Sequence, residues 1–183
     1  SCHAYDPAFA YEMATVIRVG LQRMYGGADG SAADGDAGFY YLTAYNENYE
    51  MPARPDGVTD DDIMGGLYKW ADAPEGVEAQ ATIVFSGTAQ QAARDAQHAL
   101  AEAGIGVELW SATSYKTLRE DAISVERWNR LHPLDEARTS VVADRLGGAP
   151  GPIVAVTDFM KSVPDQIARF VPHKRFVPLG TDG

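Results

Sequence analysis

The sequence predicts an α/β chain whose second part is an open, mostly parallel sheet flanked by helices, preceded by the end of another domain. Three observations carry that reading. Ala81-Thr82-Ile83-Val84-Phe85 and Val107-Glu108-Leu109-Trp110 are apolar runs of strand length, with a helix-forming stretch between them. Strand, helix and strand at that spacing make a βαβ unit, which requires a parallel pair and a right-handed crossover. The composition changes after the turn at Pro74-Glu75-Gly76, and the residues before it hold too few strands for a complete sheet. The chain therefore divides into 1–76 and 77–183.

The first part opens on Ser1-Cys2-His3-Ala4 and heads into a helix, with Asp6 as the expected cap and Pro7 at the first helical position. Over 8–25, Phe9, Met13, Val16, Ile17, Leu21 and Met24 recur at three- and four-residue steps, one apolar face of an amphipathic helix. Gly26-Gly27 ends it, and 28–37, made of Gly, Ala, Ser and Asp, reads as a solvated loop. The aromatic run from Phe39 to Tyr45 has strand propensity, and the polar segment to Pro52 is a loop. Thr59 with Asp62 three residues on forms a variant capping box for a short helix.

In the second part, Thr88 and Gln91 suggest a capping box for the helix after the first strand, and Gly104 a left-handed stop. Helices are expected over 114–131, 137–146 and 164–170, and a third strand at Ile153-Val154-Ala155-Val156. Phe176-Val177-Pro178-Leu179 closes the sheet as an edge strand, where a proline loses no ladder bond. The chain begins without Met and stops without a polar tail, so it reads as a piece of a longer polypeptide.

Of 183 residues, 45% are hydrophobic and the formal net charge is −11. That much apolar material supports a real core, and so negative a surface repels phosphate backbones, arguing against nucleic acid. No run reaches the roughly 20 apolar residues a membrane span needs. The single cysteine, Cys2, excludes an internal disulfide and a cysteine zinc site.

Familiar catalytic constellations are absent. Gly87 is a lone glycine after a strand, so Ser86 and Thr88 read as helix caps rather than phosphate ligands. His3, His98, His132 and His173 lack ligand spacing, and His132, before Pro133, reads as a hydrogen-bonded structural histidine. Asp34-Gly35-Asp36 and Asp60-Asp61-Asp62 read as solvated acid clusters. Trp70, Trp110 and Trp128 read as core or interface anchors. The segment that stands out is Tyr45-Asn46-Glu47-Asn48-Tyr49-Glu50, which follows an apolar strand where α/β proteins place their ligands. It offers amides, carboxylates and two tyrosine faces within six residues, or else forms an ordinary polar turn.

At these residues the chain resembles a known family. Phe39-Tyr40-Tyr41-Leu42-Thr43 running into Asn46-Glu47-Asn48-Tyr49, then Met51-Pro52 and Gly65-Gly66-Leu67-Tyr68-Lys69, is similar to the homodimeric bacterial pyruvate dehydrogenase decarboxylating component. The likeness extends from Tyr5-Asp6-Pro7-Ala8 through Glu126-Arg127-Trp128-Asn129-Arg130-Leu131-His132-Pro133 and Thr157-Asp158-Phe159-Met160-Lys161 to Leu179-Gly180-Thr181-Asp182-Gly183. The resemblance implies the end of a pyrimidine-binding domain over 1–76 and a transketolase-type C-terminal domain over 77–183. It implies thiamine diphosphate and Mg as cofactors, with the metal held by parts of the parent chain not present here. Tyr5 would lie close to the cofactor, and Asn46, Glu47, Asn48 and Tyr49 would border the active-site channel.

The implied activity is decarboxylation of pyruvate, a small 2-oxo acid, and acetylation of the lipoyl group of an acyltransferase partner, in a cytoplasmic homodimer. This segment alone is expected to be inactive. One position departs from the pattern. In well-known members a histidine follows the Asn-Glu-Asn-Tyr motif; here it is Glu50, onto which the catalytic duty would fall. Two like charges about 4 Å apart repel by roughly 4 kcal/mol at an effective dielectric near 20. Glu50 is therefore expected to be protonated, paired with Arg54 or another base, or turned away from a substrate carboxylate. Two alternatives stay open: a non-catalytic α/β interaction or ligand-binding module, and a related 2-oxo acid dehydrogenase or transketolase.

Overall fold

The computed structural model describes residues 1–26, 38–172 and 175–182. The loop expected over 28–37, with its Asp34-Gly35-Asp36, lies outside the described residues, as do His173 and Gly183.

Two parallel strands, β1 (Cys2–Tyr5) and β2 (Phe39–Leu42), flank helix α1 (Ala10–Tyr25). β1 was not expected: its four residues carry no alternation of their own, and the ladder with β2 makes them a strand. α1 starts at Ala10 rather than Ala8, and Asp6 does not cap it. The carboxylate of Glu12 turns back and accepts the N–H groups of Ala8 and Phe9, at 2.6 and 3.2 Å. The packed side of α1 is also rotated from the expected stripe. Glu12, Thr15, Val16 and Gly20 are buried, whereas Ile17, Leu21 and Tyr25 stand exposed. Gly20 faces the Tyr40 ring, which would lie 3.2 Å from any Cβ there, so the smallest residue decides which side packs.

Helix α2 (Asp60–Met64) begins as expected: the Thr59 hydroxyl accepts from Asp62 N at 3.2 Å and the Asp62 carboxylate accepts from Thr59 N at 2.8 Å. Then comes β3 (Tyr68–Ala71), unforeseen, which runs antiparallel to β5 at one edge of the larger sheet. That sheet has the order β3-β5-β4-β6-β7, built from β4 (Ala79–Phe85), β5 (Gly106–Ser111), β6 (Ile153–Met160) and β7 (Phe176–Thr181). The neighbours from β5 to β7 are parallel, and β7 with its Pro178 is the other edge.

Helix α3 (Ala89–Glu102) forms the expected crossover, and Gly104 ends it at φ +78°. Thr88 is already helical and its side chain makes no cap bond, because a turn at Gly87 (φ +51°) starts the helix instead. Ser86 does not cap either; its hydroxyl lies 3.0 Å from that of Thr157. Helix α4 (Tyr115–Leu131) is capped by Ser114, and α5 (Val141–Gly147) is capped by Ser140 and is shorter than expected. The single helix expected over 164–170 is two pieces, α6 (Ser162–Asp165) and a 3-10 turn at Ala168–Phe170.

The sheet has a core on each face. Val84, Ile153, Leu118 and Leu146 fill one, and Phe85, Val107 and Leu109 fill the other. Phe9, from the first unit, enters the second core, edge-on to Phe85 at 5.8 Å and stacked on Trp70 at 5.3 Å. No helix among the described residues is long and apolar enough to cross a membrane.

Candidate functional site

In α/β sheets, ligands gather beyond the carboxyl ends of parallel strands. Here residues 4–9 of the first unit lie across the ends of β4 and β5. Asp6 N donates to the Thr113 carbonyl at 2.8 Å, Gly87 N donates to the Asp6 carbonyl at 3.2 Å, and the Ser114 hydroxyl donates to the Ala4 carbonyl at 2.6 Å. These bonds leave two clefts, one on each side of Asp6 and Thr43.

The first cleft, about 260 Å³, lies between Tyr5, Asp6 and Thr43 on one wall and Tyr115, Phe159 and Gln166 on the other. Tyr5 is buried, and its hydroxyl donates to the Met64 carbonyl at 2.9 Å. Burial raises the Tyr5 pKa, so it is a neutral donor whose proton is committed internally. What it offers the cleft is its ring. The second cleft, about 190 Å³, is bounded by Phe9, Met13, Tyr45, Glu47, Tyr49 and Gly87.

Asp6 is the hub between them. Its Oδ1 accepts from the hydroxyls of Thr43 and Tyr45, each at 2.5 Å. The pKa of Tyr45 is raised by burial and by that carboxylate, so its hydroxyl stays a donor. Gly87 closes against the same pair: a Cβ there would sit 2.6 Å from both Asp6 Oδ1 and Tyr45 Oη. Neither Asp6 nor Gly87 was singled out from sequence as part of a site. The one available signal was a glycine two residues past the end of a strand.

The loop residues divide. Glu47 and Tyr49 face the second cleft, and the Tyr49 pKa is raised by burial first and by Glu47 next. Asn46, Asn48 and Glu50 are exposed. Tyr5 and the loop therefore do not share a cavity; Thr43 alone among these residues lines both clefts. Glu50 is not paired with Arg54, which instead donates to the Val58 carbonyl and to Asp60. Glu50 Oε2 lies 3.6 Å from Arg94, and its side chain is 79% exposed. It lies beside Arg94 and lines neither cleft.

A second polar group lies at the start of α1. Glu12 is fully buried and accepts from the hydroxyls of Tyr68 at 2.5 Å and Ser111 at 2.6 Å, besides two backbone N–H groups. Tyr11 extends the chain, its hydroxyl 2.6 Å from that of Tyr68. Burial raises the Glu12 pKa and these donors pull it partly back. The group ties α1 to β3 and β5.

The remaining candidates are structural. His132 stacks on Trp128 at 3.6 Å with Nδ1 2.9 Å from the Trp128 carbonyl, as a structural histidine would. Trp110 is buried in the sheet core. Asp60 and Asp62 are engaged by Arg18, Arg54 and Arg145. Among the described residues no trio of His, Cys, Asp or Glu is placed to hold a metal.

Comparison with known proteins gives two family matches. Residues 66–183 match the transketolase-like TK C-terminal domain, and residues 1–52 match the pyruvate dehydrogenase E1 component middle domain. The chain is 39% identical over 184 residues to the pyruvate dehydrogenase E1 component of Pseudomonas aeruginosa, covering 100% of this chain and 20% of that protein. It is 41% identical over 180 residues to that of Mycolicibacterium smegmatis, covering 98% and 19%. For Escherichia coli K12 the identity is 39% over 184 residues, covering 100% and 20%. The chain thus spans about a fifth of the length of these relatives. Among solved structures, a transketolase variant from Pichia stipitis superposes with TM-score 0.57 at 16% identity, covering 100% of this chain and 21% of that one, a likeness of fold alone.

Proposed function

The chain belongs to the family of the transketolase-like C-terminal domain and is homologous along its length to bacterial pyruvate dehydrogenase E1 components, and on that premise we propose that it is part of a thiamine-diphosphate-dependent subunit that decarboxylates pyruvate. The observation that carries this is homology covering the whole chain, which includes the loop beside the second cleft. The proposal divides the chain near Gly76, with the end of a pyrimidine-binding domain before it and a transketolase-type lobe after it. β3, which precedes that point, lies within the residues that match the transketolase-like C-terminal domain and pairs with β5 of its sheet.

Thiamine diphosphate, when bound, supplies the electron sink that lets carbon dioxide leave a 2-oxo acid. The described residues fit a wall beside such a group. In this reading Tyr5 presents its ring from the first cleft while its hydroxyl is held by Met64. Asn46, Glu47 and Asn48 offer donors and acceptors at the channel mouth, and Tyr45 and Tyr49 exclude water behind them. Glu50, partnered by Arg94, adds little net charge beside an incoming carboxylate. Mg would be bound by other parts of the parent protein. The exposed Ile17, Leu21 and Tyr25 of α1 suit burial in a homodimer. The acetyl acceptor would be the lipoyl group of an acyltransferase partner, and the location cytoplasmic.

The test is release of carbon dioxide from pyruvate by the full-length parent protein with thiamine diphosphate and Mg²⁺. Turnover is expected, and its absence from a folded, cofactor-loaded protein overturns the proposal. Glu50 favours a second reading, a different 2-oxo acid. A panel of 2-oxo acids separates the two by kcat/KM.

A further inference from the structure

The two ends of loop 45–50 are held by one segment of the other unit, the β4–α3 connection and the first turns of α3. At the near end, Gly87 packs on the Asp6–Tyr45 pair so closely that a Cβ would lie 2.6 Å from each oxygen, at a φ of +51° that L side chains rarely adopt. Its N–H also fixes the Asp6 carbonyl at 3.2 Å. At the far end, Arg94 lies 3.6 Å from Glu50. Arg94 is itself braced: its guanidinium lies 5.6 Å from the centre of the Trp70 ring and its Nη1 is 3.5 Å from Gln90 Oε1. Between these anchors Asn46, Glu47 and Asn48 are exposed, with Glu47 hydrogen-bonded to Tyr49 of the same loop.

We propose that Gly87 and Arg94 are positioning residues that set the conformation of loop 45–50 from the C-terminal lobe. Neither touches a reacting group; both act through the loop. The proposal rests on the reading above for what the loop borders, and on the geometry alone for how it is held. It also explains how a glutamate is accommodated at position 50: its charge is drawn sideways onto α3.

The experiment uses the full-length parent protein and follows amide hydrogen exchange in the peptide spanning 43–51, with steady-state kinetics on the 2-oxo acid it turns over. Gly87→Ala should speed exchange there by about tenfold, as a strained side chain displaces Tyr45. Arg94→Glu should speed it about twofold to fivefold, the range of a partly exposed ion pair, and so should Glu50→Arg. The double variant Arg94→Glu with Glu50→Arg should restore slow exchange, which a merely structural role for Arg94 would not produce. KM should rise in Arg94→Glu, with kcat held within about twofold. Unchanged exchange in a folded Arg94→Glu protein, or no restoration in the double variant, overturns the proposal. If Gly87→Ala fails to fold, the charge-swap series decides by itself. Faster exchange with unaltered kinetics leaves the positioning intact and sinks the channel-border reading instead.

Discussion

Single residues in this chain are fixed by what their polar atoms must find once buried. Glu12 has no water to turn to, and four donors from three elements converge on it. Glu12→Ala strands two hydroxyls and two N–H groups together, and a loss of about 3 kcal/mol or more in unfolding free energy is expected by denaturant titration. The buried tyrosines Tyr5, Tyr68 and Tyr115, with the half-buried Tyr11, make a second prediction. Burial raises each pKa above its ordinary value of 10.0. A raised folded value means that the stabilisation is fully present below pH 10 and drains away as pH climbs above it. Stability should therefore fall above pH 10, and phenolate absorbance should appear together with loss of ellipticity. Phenolate signal from these residues in a still-folded protein would contradict it.

At the level of elements, Thr59 caps α2 with a reciprocal pair of bonds, so Thr59→Ala should cost about 1 kcal/mol in chemical denaturation. That cap was readable because it is local: donor and acceptor lie three residues apart. So were the βαβ unit, visible in two apolar runs, and the stop at Gly104. β1 and β3 were not readable, since each is four residues long and owes its ladder to a partner far away in sequence. The cap assigned to Thr88 failed for a related reason. A turn at Gly87, held by contact with Asp6 and Tyr45, starts α3 before any side-chain cap is needed. The candidate site divides in the same way. The loop announced itself by its amides and tyrosines, whereas Asp6, Gly87 and Arg94 join it only through contacts between residues far apart in sequence.

Across the whole molecule, the seam between the two units is both apolar and polar. Phe9 packs on both Trp70 and Phe85, which also touch each other, and Glu12 binds Tyr68 and Ser111 beside it. Phe9→Ala should cost about 3–5 kcal/mol, and in the parent protein should expose segment 43–59 to limited proteolysis before the sheet itself melts. Simultaneous loss of both would show that the seam and the sheet unfold as one body. The Glu12–Tyr68–Ser111 set carries a further consequence for ancestry. A lobe transplanted from a cousin protein would dock only if it brought its own matching hydroxyls. Recombination across this boundary is thus policed by a buried acid, and descendants should inherit the three positions together or lose them together.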